Sequence, residues 1–86
     1  MTLLEKIQHI KEVWKAVLPG VSLPTNIWLA RWCFHDTEVI EAAIAQSAYK
    51  FSRETNVTAD RVHRYTSKTM LNMAEQSISK QGVYAK

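Results

Sequence analysis

This chain has little to staple it or bend it. Of its 86 residues one is cysteine, two are proline and two are glycine. The lone thiol, Cys33, excludes a disulfide within the chain. It also excludes the several-cysteine set on which structural zinc sites are usually built. So few glycines and prolines exclude a linker or a low-complexity segment. Long apolar runs are missing too. None approaches the ~20 residues that span a bilayer, and the first residues lack the charged, apolar, small-residue order of a secretory leader. A cytoplasmic domain with no membrane contact is the expectation. Strand patterning is equally scarce: the only β-like pieces are Gly20-Val21-Ser22-Leu23, bounded by prolines, and the residues after Gly82.

What is present suits one small packed domain. Hydrophobic residues make up 47% of the chain, with three Trp, three Tyr and two Phe among them. A chain of this length buries roughly 60–65% of its unfolded surface, enough to fold alone with little stability in reserve. The net charge of +3 permits an acidic partner without demanding one.

Four segments carry helical spacing, which predicts an all-α bundle with helices at about 3–18, 24–34, 37–54 and 59–80. In the first, Thr2 and Glu5 have capping-box spacing. Leu3, Ile7, Ile10, Trp14 and Val17 form one stripe, and Pro19-Gly20 ends it. The second opens at Pro24, or at Thr25 as an alternative N-cap. Its Ile27, Trp28, Ala30, Trp32, Cys33 and Phe34 predict a largely buried helix. The third is capped by Asp36, with Glu38 in its first turn. Ile40, Ala43, Ile44, Ser47, Ala48 and Phe51 line one face, and the small residues admit a close neighbour. The fourth starts after Thr58 and is expected to stop at Gly82, leaving 82–86 as a flexible tail. Val62, Tyr65, Thr69 and Met73 form one side of it, and Met70, Leu71, Ala74 and Ile78 widen that side. Only Arg61, Arg64, Lys68, Asn72 and Glu75 remain as a narrow polar strip. A helix this apolar is either central to the fold or covered by a partner.

The strip is the leading candidate site. Arg61, Arg64 and Lys68 share a face, with His63 nearby and Lys50 and Arg53 upstream. Aligned cations suit phosphate contacts, because neutralised phosphates release condensed counterions. The alternative is a solvated face that keeps the domain soluble. No aromatic is interleaved on this strip, so stacking with single strands finds no support in it. Trp28 and Trp32 lie four apart on one helix face. They are core, or with Leu71 and Ile78 they anchor a protein partner or a second copy of the chain.

The candidates for chemistry are weak. Cys33, His35 and Asp36 lie close in sequence. However, Cys33 and His35 diverge by about 200° if both are helical, so the imidazole cannot serve the thiol as a base. His9, His35 and His63 fall in separate segments with no metal-ligand spacing. No enzyme activity, cofactor or metal is expected, and His9 reads as a helix-surface residue.

From Leu29 onward the chain resembles the C-terminal helical module of DnaD-like and phage replisome-organiser proteins. Trp32 is followed by a turn and by Glu38-Val39-Ile40-Glu41-Ala42-Ala43-Ile44. Tyr65, Met70-Leu71 and Gly82-Val83 then follow in the family's order. Met73 stands where a Trp is expected. The resemblance implies a role in DNA replication or primosome assembly, with the last helix and the tail on DNA. A non-enzymatic DNA-associated accessory module is therefore expected, and a helical protein-interaction module is the alternative.

Overall fold

The computed structural model describes the backbone of residues 2–84 and the side chains of residues 2–75. It is all-α, with α1 at Leu3–Val17, α2 at Asn26–Trp32, α3 at Thr37–Phe51 and α4 at Ala59–Tyr84. No strand occurs among the described residues. The principal contacts of α4 are with α3 and α2, and those of α1 are with α3 and α2.

Local chemistry explains where the helices begin and end. Thr2 is extended, and its Oγ1 accepts from the Glu5 amide at 3.2 Å. The Thr2 hydroxyl donates to the Glu5 carboxylate at 3.0 Å. The box therefore closes between side chains, rather than on the Thr2 backbone amide. Beyond Val17 the Leu18 amide still reaches the Trp14 carbonyl at 2.7 Å, and Pro19 has no amide with which to extend the ladder. At α4, Thr58 Oγ1 accepts from the Arg61 amide at 3.2 Å. Thr25 and Asp36 are extended at the caps of α2 and α3, without side-chain cap bonds.

Two expectations need correction. The second helix is shorter than 24–34 and buries one face only. Leu29 and Trp32 are core, whereas Ile27 is 68% exposed and Phe34 91% exposed. At about 100° per residue Ile27 falls on the side of the helix opposite Leu29 and Trp32, so with those two in the core it faces out. Phe34 lies past the helix in a turn held by the His35 amide on the Trp32 carbonyl, and that turn leaves its ring outside the core. The second correction concerns Gly82. The last helix runs through it to Tyr84, so this glycine does not stop the helix. The backbone of 82–84 is helical, and Ala85 and Lys86 lie outside the described residues.

The core is built around tryptophan. Trp14 from α1 and Trp32 from α2 stack with ring centroids 5.8 Å apart. Trp14 Nε1 donates to the Val21 carbonyl at 3.2 Å, tying the α1–α2 connection to the core. The predicted α3 stripe is buried at Ile40, Ala43, Ile44, Ser47 and Phe51. Ala43 and Ser47 are fully covered, and α4 crosses close by, bringing Val62, Thr66 and Met70 into the same interior. The α3–α4 connection turns at Asn56, whose φ of 59° is in the left-handed region that Asn tolerates better than most residues.

Candidate nucleic-acid interface

Four of the five predicted cations sit on two helices, and the fifth lies just past the first of them. Lys50 is in the last turn of α3, where a cation also complements the helix dipole, and Arg53 lies just past it. Arg61, Arg64 and Lys68 are all exposed along one face of α4. The chain reverses between these helices, so Lys50 of α3 and Arg61 of α4 come to stand over the same Phe51 ring. Lys50, Arg53, Arg61, Arg64 and Lys68 are opposed within 50–68 only by Glu54 and Asp60, an excess of three. Over the rest of the chain six cations meet six acids, so the whole net charge of +3 belongs to this region.

Two of the five are partly answered. Arg64 Nε lies 3.0 Å from the Asp60 carboxylate, one turn away, and Arg61 lies 3.5 Å from Glu54. Both pairs are solvent-exposed, so they are weak and exchangeable. Among the described residues Lys50, Arg53 and Lys68 form no salt bridge. Lys50 Nζ instead stands over the Tyr65 ring at 5.5 Å and the Phe51 ring at 5.9 Å. Arg61 stands over Phe51 at 5.4 Å. Phe51 and Tyr65 meet edge to face at 5.3 Å, a fixed apolar base beneath two cations.

An aromatic missing from the strip itself arrives from α3. Tyr49 is 84% exposed and lines an open hollow of about 470 Å³ with Gln46, Lys50, Ser52, Arg53 and Tyr65. The signal was available in the sequence, since Gln46, Tyr49 and Arg53 have the spacing of one helix face. It became legible as a site only once α4 lay beside α3.

His63, expected near the strip, is not part of it. It is 5% exposed, 5.3 Å from the Trp14 ring, and its Nε2 donates to the Ser22 carbonyl at 2.9 Å. It is a structural residue that pins the α1–α2 connection to α4. His9 is likewise more than a helix-surface residue: its Nε2 meets the Glu41 carboxylate at 2.6 Å, bridging α1 to α3.

The residues proposed to meet a protein partner separate. Trp32 is 1% exposed and belongs to the core, so it is no exposed anchor. Among the described residues its buried indole Nε1 has no hydrogen-bond partner. Trp28 is half-buried, 6.2 Å from Trp32 and capped by Arg31 at 5.5 Å. Leu71 is 53% exposed, and the side chain of Ile78 lies outside the described residues.

Burial pushes the Cys33 thiol up, against a smaller opposing pull from the Lys6 charge. No hydrogen bond joins it to the His35 ring. Among the described residues no three His, Cys, Asp or Glu side chains gather as metal ligands would. No helix among them is long and apolar enough to cross a membrane. No protein-family model, curated protein or solved structure matches the chain.

Proposed function

We propose that this chain is a non-enzymatic, DNA-associated accessory module of the cytoplasm that grips the phosphate backbone at the α3–α4 end. The observation that carries the reading is the placement of charge. The entire net excess lies in residues 50–68, and among the described residues Lys50, Arg53 and Lys68 form no salt bridge with a carboxylate. Phosphates would also displace the weak exposed partners of Arg61 and Arg64. The resemblance to replisome-organiser modules supports a setting in replication, in a phage or another mobile element.

Fluorescence anisotropy with labelled DNA at rising salt tests this. The logarithm of affinity should fall linearly with the logarithm of salt, and Lys68→Glu should flatten the slope by about 0.9 on duplex for the contact it removes. Absence of binding at low salt, or a slope untouched by Lys68→Glu, contradicts it.

A second reading, a helical protein-interaction module, is favoured by one specific feature. Phe34 and Leu71, both exposed, flank a mainly apolar hollow of about 400 Å³ that also takes in Arg31, Trp32, His35 and Ser67. Exposed apolar groups of this kind mark contact surfaces when they cluster. A concentration-dependent mass in sedimentation, abolished by Phe34→Ala, would support it. A monomeric mass at every concentration would remove self-association.

A further inference from the structure

We propose that Tyr49 is a stacking platform for an unpaired base, so that the ligand taken at the α3–α4 end is single-stranded nucleic acid. The inference rests on the backbone-binding reading above and specifies which form of the polymer is held.

Three observations carry it. First, Tyr49 is 84% exposed, a large ring left in solvent while Phe51, two residues on, is buried. Stacking with a base would cover such a ring, and every base has a face to offer. Second, the ring is flanked by two cations that no carboxylate among the described residues engages. Lys50 and Arg53 both line the hollow beside Tyr49, and neither forms a salt bridge among the described residues. A base on Tyr49 therefore leaves its flanking phosphates beside Lys50 and Arg53. Third, the hollow is of suitable size and lining. Its volume of about 470 Å³ is within the roughly 300–1,000 Å³ of small-ligand sites. Gln46 supplies an amide at the rim, where its one side-chain bond among the described residues is a long 3.5 Å contact to the Tyr65 hydroxyl. That amide is free to turn toward a base edge.

A duplex would use this surface poorly. Its bases are stacked on one another, so it presents phosphates and leaves the Tyr49 face in water. An unpaired strand satisfies both parts of the surface at once. Stacking is indifferent to the sugar, so DNA and RNA strands share the required chemistry.

The test is equilibrium anisotropy at one low salt concentration with four labelled ligands. These are a short oligothymidylate, an oligouridylate of the same length, an abasic strand with the same number of phosphates, and a duplex of that length. The proteins are wild type, Tyr49→Ala and Tyr49→Phe. Wild type should bind one or both base-bearing strands at least about fivefold more tightly than the abasic strand. The tighter of the two names the source. Tyr49→Ala should erase that preference while leaving abasic and duplex binding in place, and Tyr49→Phe should keep it. Equal binding of base-bearing and abasic strands by wild type, or a preference that survives in Tyr49→Ala, overturns the stacking inference and leaves the backbone reading standing. Failure to bind any of the four overturns both.

Discussion

Ser47 on α3 and Thr66 on α4 meet hydroxyl to hydroxyl at 2.6 Å, with both side chains fully buried. Each also reaches back to its own helix, Ser47 to the Ala43 carbonyl at 2.9 Å and Thr66 to the Val62 carbonyl at 2.8 Å. Each hydroxyl has one hydrogen, so only two of these three contacts are made at any instant. The pair is therefore a small shared polar network inside the helix crossing. Thr66→Val keeps the shape and removes one hydroxyl, and it should cost about 1 kcal/mol. Ser47→Ala should cost a similar amount. The double variant should cost clearly less than the two singles together, because neither partner is then left waiting for the other. Urea denaturation of the four proteins measures this, and strict additivity would contradict it.

His63 and Trp14 tie the α1–α2 connection to the core through the Ser22 and Val21 carbonyls. Removing the imidazole in His63→Ala opens a cavity under Trp14 and frees the Ser22 carbonyl. The expected loss is about 2–3 kcal/mol, read as a lower urea midpoint. A change below about 0.5 kcal/mol, the size of an ordinary surface substitution, would show that the contact carries no stability.

Phe34 and Trp32 are two residues apart and should behave in opposite ways. Phe34→Ala should leave stability within about 0.5 kcal/mol, because the ring is already in water. Trp32→Ala should cost about 3–5 kcal/mol, a large share of what a domain of this size has. Thermal unfolding of the two variants separates them. A large destabilisation by Phe34→Ala would mean that its ring is packed.

That contrast also shows how far the sequence could be read. The α3 stripe was legible because a single period of 3.6 accounts for Ile40, Ala43, Ile44, Ser47 and Phe51 together. The same period misplaced Phe34, since the helix stops at Trp32 and the following turn redirects the chain. His63 looked like a neighbour of Arg61 and Arg64 by composition, but tertiary packing under Trp14 claimed it for the core. The Tyr49 hollow joins residues of α3 to Tyr65 of α4. No periodicity within one helix records how two helices cross, so the cations were visible beforehand, whereas Tyr49 became part of a hollow only once Tyr65 lay beside it.

Cys33 should be a slow thiol. Its acidity is lowered mainly by burial, so at neutral pH less of it is thiolate than in free cysteine, and the thiolate is the reacting form. Alkylation by iodoacetamide should be slower than for free cysteine. The rate should keep rising with pH beyond the point at which an ordinary thiol has levelled off. A rate at neutral pH equal to or above that of free cysteine would contradict this.

The proposed interface requires that the position of the positive charge matters, as well as its amount. Arg53 at the α3–α4 end and Lys15 in the last turn of α1 are both exposed, and Arg53→Glu and Lys15→Glu change the net charge equally. The most direct test compares the affinity of the two variants for one labelled single strand at one salt concentration. Arg53→Glu should weaken binding by roughly tenfold, and Lys15→Glu should change it by less than about twofold. Equal losses in the two variants would mean that net charge alone attracts the strand, and would contradict an interface at the α3–α4 end.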